Sequence, residues 1–249
     1  LPYGECVASE ISEKDAKVIR KPKGVVAVIS PWNFPLAIGS FWSSAVAIVE
    51  GNCVVHKPSE LTPQIATLAA EFYARAGFPP GVYNLIHGDG EVGQTLVESD
   101  VDVILFTGSA EVGQKIRQHC ATTFNKTCST ECGSKSAMIL FQDANMKLAI
   151  DACVASSFKL SGQRCVSASR ILVQRDRMDE FIELFVPEVK VLKTGQPAGE
   201  GFFGPIISEA QMNRVMEFNE MTRQDPDVTI LCNGSRIEPG FFLTPHVYT

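Results

Sequence analysis

The sequence predicts an α/β protein: a parallel β-sheet covered on both faces by helices, followed by a second α/β region. Three observations lead there. Short β-branched runs alternate with helical patterns at the spacing of βαβ units. The runs are apolar at successive positions rather than at every second one, as strands buried on both faces require. Near Gly133 the pattern stops and restarts, which places a domain boundary there.

The elements follow in order. GVVAVIS, residues 24–30, is a strand bounded by Gly and Pro, and residues 36–49 read as a helix. NCVVHK, residues 52–57, is a second strand. TPQIATLAAEFYARAG begins with Thr62 at the N-cap and a Pro at the first helical position, and it stops at Gly77. VYNLIH, residues 82–87, is the third strand, with a short helix after it to about Val97. VDVILF, residues 101–106, is the fourth, and a helix covers residues 110–120. Beyond the boundary, SAMILF is a strand, residues 145–160 are a helix with an apolar stripe, and residues 169–174 are a strand. Helices are expected over residues 178–189 and 209–223, separated by the Gly- and Pro-rich loop KTGQPAGEGFFGP.

Composition removes several function classes. A chain of 249 residues, 45% apolar, buries one large core or two smaller ones. Net charge is −6 and the 22 basic residues are scattered, so neither a nucleic acid nor an acidic membrane surface is an expected partner. The longest apolar stretch, residues 37–55, is broken by Ser43, Ser44, Glu50, Gly51 and Asn52, and is no membrane span. The eight cysteines form no CxxC pair, and no Cys/His spacing suggests a zinc site, so no metal site is expected. They read as mostly reduced thiols, suited to a cytosolic or mitochondrial-matrix protein. No signal peptide is visible; the first residue is Leu1 rather than Met, so the original N-terminus is expected to be absent.

Five segments carry side chains suited to chemistry. SGQRCVSAS holds Cys165 between a helix and a strand, and a thiolate is a strong nucleophile when its pKa is lowered; a loop cysteine taken alone is more often structural. TECGSKS places Glu131 at a strand end, where a solvated carboxylate is the ordinary alternative. SPWNFP, residues 30–35, restrains Asn33 between two aromatic rings and two prolines. An amide held this way can donate to a developing oxyanion, although Asn and Pro also favour plain turns. HKPSE brings Lys57 and Glu60 just after the second strand. FTGSAEVG brings Gly108 and Gly113 just after the fourth, opening a helix whose N-terminus suits a phosphate. Neither segment matches GxGxxG.

Together PWNFP, KPSE, FTGSAEVG, ECGSKS and GQRC resemble the signatures of the aldehyde dehydrogenase superfamily, in the family's order and over essentially the whole chain. The spacing from Glu131 to Cys165 matches as well, and AGFPPGVYNLIHG, DANMKLA and GFFGPIIS are softer matches. The resemblance implies a Rossmann-like NAD(P)-binding domain over residues 1–133, with the end of an oligomerisation segment at its start. A catalytic domain would occupy residues 134–249, incomplete at its C-terminal side. It also implies oxidation of an aldehyde or semialdehyde to a carboxylic acid, a NAD cofactor with NADP as the alternative, a small aldehyde substrate, and a homo-dimer or homo-tetramer.

Residue by residue, Cys165 matches the nucleophile, Glu131 the base that activates the deacylating water, and Asn33 the oxyanion donor beside the backbone N–H of Cys165. Lys57 and Glu60 match positions holding the adenosine ribose, and Ser109, with Gly108 and Gly113 about it, matches a pyrophosphate contact. Trp32, with Ser30 and Pro31 before it, matches the residue that packs near the nicotinamide side in the family.

Two departures stand out. The family usually has two glycines after the glutamate, and here Cys132 precedes Gly133 and Ser134, which is expected to alter the path of Glu131. The chain stops at Thr249, before the family's second ribose-binding glutamate, so a piece of a longer polypeptide, inactive alone, is expected. The alternatives are a silent or structural relative, disfavoured by the joint presence of Cys165, Glu131 and Asn33, and an acylating enzyme, disfavoured by Glu131. GQRC is similar to the form in semialdehyde enzymes such as the glutamate-semialdehyde type. There Arg164 would meet a substrate carboxylate, although a structural arginine is the commoner reading.

Overall fold

The computed structural model describes residues 4–196 and 198–249, so Pro197, in the expected Gly/Pro-rich loop, lies outside the described residues. The chain divides into two compact units, Leu1–Cys132 and Gly133–Thr249.

The first unit opens with an antiparallel pair, β1 (Glu5–Val7) and β2 (Ala16–Val18), which the sequence reading did not anticipate. Its centre is a five-stranded sheet of β3 (Val25–Ile29), β4 (Cys53–Lys57), β5 (Tyr83–Leu85), β6 (Val103–Gly108) and β7 (Thr127–Cys132). All neighbours pair in parallel, in the order β5-β4-β3-β6-β7. The chain winds outward from β3 to one edge, returns, and continues past β3 to the other. The order therefore reverses between β3 and β6, the arrangement of a doubly wound Rossmann-type sheet.

Successive side chains in a strand point to opposite faces, so each apolar strand feeds two cores. Ala27 and Ile29 join Ile104 and Phe106 on one face, under α3 (Gly90–Glu98) and α4 (Ala110–Ala121). Val26 and Val28 join Val54, Val103 and Leu105 on the other, with Ala47 of α1 (Ser44–Val49). The helix expected over residues 36–49 is in fact a π-helix, Pro35–Ser43, running into α1. The helix α2 (Pro63–Arg75) starts where the Pro signal places it, although the Thr62 hydroxyl makes no capping bond. It ends just before Gly77, whose φ of 84° suits glycine.

A buried polar string fastens the π-helix to the strand ends. His56, wholly buried, bonds Ser30 Oγ through Nε2 at 2.8 Å and the Tyr83 hydroxyl through Nδ1 at 2.7 Å. The Tyr83 ring stacks on Tyr73, centroids 4.4 Å apart, and the Tyr73 hydroxyl donates to the Ser40 carbonyl. Gly39 has to be glycine here. A Cβ would come within 2.2 Å of His56 Nε2 and 2.3 Å of Ser30 Oγ.

The second unit holds a parallel pair, β8 (Ser136–Leu140) and β9 (Ala168–Val173). Against it pack α5 (Met146–Phe158) and α6 (Met178–Lys190), whose Phe181, Phe185 and Val189 meet Ile150 and Cys153 in one core. Then come α7 (Glu209–Gln224), capped by Ser208 Oγ on Gln211 N, and four short strands. β10 (Ile230–Cys232) pairs with β13 (Val247–Tyr248), and β11 (Arg236–Ile237) with β12 (Phe242–Leu243), both antiparallel. Among the described residues no helix is long and apolar enough to cross a membrane.

Burial, and then the nearby His87 and Lys57, lower the His56 pKa from 6.5 to about 4. The unfolded chain therefore takes up a proton below pH 6.5 that the folded chain refuses until about pH 4. Stability falls through that window as pH drops, by up to about 3 kcal/mol from this one group. His56→Leu leaves the Ser30 and Tyr83 hydroxyls without their partner, and is expected to be about 1–3 kcal/mol less stable at pH 7. Its urea-unfolding free energy is nonetheless expected to change less between pH 6.5 and pH 4. An unchanged pH slope in the variant would show that His56 is not the titrating group.

Candidate active site

Open α/β sheets bind ligands beyond the carboxyl ends of their strands, where the strand order reverses. A cleft of about 570 Å³ lies there in the first unit. Ser30, Pro31 and Trp32 line it from the end of β3, Lys57 and Glu60 from the end of β4, and Gly108 and Ser109 from β6. Gly93 and Val97 of α3 and Val112 and Ile116 of α4 form its walls, a contribution the sequence reading missed. Their only signal was the small and β-branched residues on the facing sides of two amphipathic helices.

Lys57 is buried, yet its charge is accommodated. Nζ donates to the Gly88 carbonyl at 2.7 Å and sits 3.8 Å from the Glu60 carboxylate. Burial lowers its pKa, against the pull of Glu60 and Asp89. Glu60 itself is exposed to the cleft. Ser109 is the N-cap of α4: its Oγ accepts the Val112 N–H at 3.3 Å. The helix thus presents its N-terminal end at the cleft, where its dipole favours an anion.

Gly113, expected with these cofactor residues, does not line the cleft. It lies on the underside of α4, where a Cβ would sit 2.8 Å from Cys132 Sγ and 3.4 Å from the Phe106 ring. Its work is close helix-to-sheet packing, and that packing fixes how near the N-terminus of α4 comes to the strand ends.

Asn33 stands in the loop between β3 and the π-helix, half-buried, with Oδ1 enclosed. Glu131 is next to last in β7, paired in register with Thr107. Alternation along β7 turns Cys128 and Cys132 toward the α4 core and leaves Ser129 and Glu131 on the other face. There Glu131 shares a cavity of about 150 Å³ with Trp42, Ser43 and Val46. The structure therefore gathers seven of the expected side chains at one cleft, while Asn33 and Glu131 stand in the same unit outside its lining.

Cys165 belongs to the second unit, in a tight turn between α5 and β9. The Ser167 N–H donates to the Arg164 carbonyl at 3.1 Å, so Cys165 and Val166 are the two corner residues. Arg164 Nε also reaches Ser167 Oγ at 3.3 Å, and Nη2 donates to the Ala155 and Ser156 carbonyls at 3.0 and 2.7 Å. Those carbonyls lie in the last turn of α5, where helical donors run out; Arg164 joins the Lys159 N–H on the Ala155 carbonyl and adds a donor at Ser156. Arg164 is therefore the structural arginine of the two readings, folded back onto its own helix.

Ahead of the turn the backbone is left-handed at three successive residues: Leu160 (φ 56°), Ser161 (φ 57°) and Gly162 (φ 70°). Only the last is a glycine, and each of the others carries a strain of about 1–2 kcal/mol. The expected end of helix α5 at residue 160 is replaced by this turn. It is strapped in place: Ser161 Oγ donates to the Gly204 carbonyl at 2.6 Å, and Gln163 accepts the Ile207 N–H at 3.0 Å. Two of the buried thiols are kept protonated. Burial pushes Cys120 and Cys153 up to about 11, Cys120 with added help from its neighbour Cys128.

A family model described as "Aldehyde dehydrogenase family" matches residues 2–249. Solved structures agree with it. Betaine aldehyde dehydrogenase from Staphylococcus aureus, in complex with NAD+, is 34% identical at a TM-score of 0.92, over 99% of this chain and 50% of that one. An NAD-dependent aldehyde dehydrogenase from Sinorhizobium meliloti is 33% identical at 0.93, over 98% and 49%. The aldehyde dehydrogenase of Brucella melitensis biovar abortus is 33% identical at 0.91, over 99% and 51%. The chain thus spans about half the length of the structures it matches.

The contact under α4 is open to test. Gly113→Ala is expected to lower stability by about 1–3 kcal/mol in urea unfolding, because the added methyl overpacks the interface with Phe106 and Cys132. Gly133→Ala, with nothing within 4 Å of its Cβ, is expected to stay within about 0.5 kcal/mol of the parent. Equal effects at the two positions would remove the packing role given to Gly113.

Proposed function

This chain belongs to the aldehyde dehydrogenase family, and on that premise we propose that the protein it represents oxidises an aldehyde or semialdehyde to a carboxylic acid through a covalent bond to Cys165. The observation that supports this best is the setting of Cys165. It is a half-buried thiol at the corner of a turn braced on both sides, while Cys120 and Cys153 are buried and protonated.

In this reading the Cys165 thiolate attacks the aldehyde carbon, and the carbonyl oxygen becomes the oxyanion of a hemithioacetal. The Asn33 amide and the Cys165 backbone N–H donate to that oxyanion; losing one such donor typically costs about 10²–10³ in rate. Glu131 later takes a proton from the water that opens the thioester and frees the acid.

The cleft at the strand ends fits NAD. Its volume suits a dinucleotide's adenosine half, Lys57 and Glu60 offer polar groups to a ribose, and the N-terminus of α4 favours a pyrophosphate. Bound there, NAD+ supplies the two-electron acceptor for the hemithioacetal carbon. Exposed Glu60 repels a ribose 2′-phosphate, and buried Lys57 is held by Gly88, so we propose NAD over NADP. Arg164 gives no support to a carboxylate-bearing substrate, since its guanidinium is turned onto Ala155, Ser156 and Ser167.

Single-turnover kinetics on the full-length protein test the roles apart. Glu131→Gln is expected to keep a burst of NADH and lose most of its steady turnover, whereas Cys165→Ala loses both. Loss of the burst in Glu131→Gln would sink the deacylation role. For the cofactor, Glu60→Gln is expected to raise kcat/KM for NADP relative to NAD by about tenfold, the scale of one nearby unit charge in a partly wet site. A parent enzyme that already prefers NADP would overturn the choice of NAD.

A further inference from the structure

The turn that presents Cys165 is gripped from its N-terminal side by Arg164, which locks the residue before the thiol to the end of α5. A second grip comes from a different part of the unit. The Ser134 hydroxyl donates to the carbonyl oxygen of Cys165 itself, at 2.8 Å. Its oxygen is also 2.6 Å from Ser136 Oγ. The Ser134 hydrogen is engaged by the carbonyl, so Ser136 is the donor in that second contact. Ser136 opens β8 and pairs in register with Ala168, the first residue of β9, three positions beyond Cys165. The string Ser136–Ser134–Cys165 therefore closes a ring across the start of the β8–β9 pair.

We propose that Ser134 is a positioning residue for the nucleophile, pinning the carbonyl of Cys165 so that the turn offers its thiol in one orientation. The inference rests on the reading of Cys165 as the nucleophile. Its physical basis is simple. A two-residue turn corner has two soft peptide planes, one on each side of the corner residue. The Ser167 N–H, donating to the Arg164 carbonyl, restrains the first and Ser134 the second, which fixes the backbone on both sides of the Cys165 Cα and hence the direction of its Cα–Cβ bond. Reaction at a carbonyl carbon is steep in geometry: small misplacements of a reacting atom cost about 10²-fold. The hydroxyl is a particular of this chain, standing where the resemblance pattern carries a second glycine, and a glycine has nothing to donate.

The test uses the full-length protein with a good aldehyde substrate and four variants: Ser134→Ala, Ser134→Gly, Ser134→Thr and Cys165→Ala. Ser134→Ala and Ser134→Gly are expected to lower kcat about tenfold with KM for NAD and the melting temperature unchanged. Ser134→Thr, which keeps the hydroxyl, is expected to restore most of the rate. Parent-like kcat in Ser134→Ala, with Cys165→Ala inactive, would overturn the role of Ser134 and leave the nucleophile standing. Activity surviving in Cys165→Ala would overturn the nucleophile and this inference with it. A loss in Ser134→Ala accompanied by a lower melting temperature and no rescue by threonine would show a general packing defect, and would also overturn it.

Discussion

A parallel strand sends its chain back over one face of the sheet before the next strand begins. The inner strands β3 and β6 carry apolar side chains at successive positions, because helices cover both sides. This requirement organises the first unit. It explains why Val26 and Val28 meet one layer while Ala27 and Ile29 meet the other, and why the strand order turns between β3 and β6. The cleft is a by-product of that turn. Where neighbouring strands send their chains to opposite faces, the ends part, and Ser30, Lys57 and Gly108 are left on the rim. The polar string of Ser30, His56 and Tyr83 lies beneath it, joining the ends of β3 and β4 to β5.

Strands of this kind were legible because their signal is local and doubled: β-branched runs bounded by Gly and Pro at regular intervals. The residues lining the cleft from the strand ends were legible for a related reason, since each stands at or just past a strand end. Other features left no local trace. The 3.6-residue period that marks residues 36–49 as helical does not distinguish an α-helix from the π-helix of Pro35–Ser43. The left-handed pair Leu160 and Ser161 carries no Gly or Asn to announce it, and its geometry is imposed by contacts with residues 204–207, distant in sequence. The four strands β10–β13 are two or three residues long, too short for periodicity to register.

Two expectations changed meaning once partners were visible. Gly113 was grouped with the ligand-facing glycines, yet its missing Cβ makes room for Cys132 and Phe106. Ser134 was expected to disturb the path of the chain after Glu131. Its hydroxyl instead bonds the Cys165 carbonyl, thirty-one residues away. In both cases the sequence marks the position as unusual, and only the neighbours say why.

The left-handed segment ahead of Cys165 bears on how this protein would respond to engineering. One route to stabilisation replaces a strained residue by one that tolerates the same backbone, and Leu160 is an evident target for asparagine or glycine. Its neighbourhood also carries Cys165, the proposed nucleophile. A directed-evolution campaign scored only on thermal tolerance would be drawn to this turn early. Relaxing a loop that over-determines a reactive group tends to trade activity for robustness. Selection for both properties together would instead favour changes in the helices and strands that hold the turn, leaving the turn itself as it is.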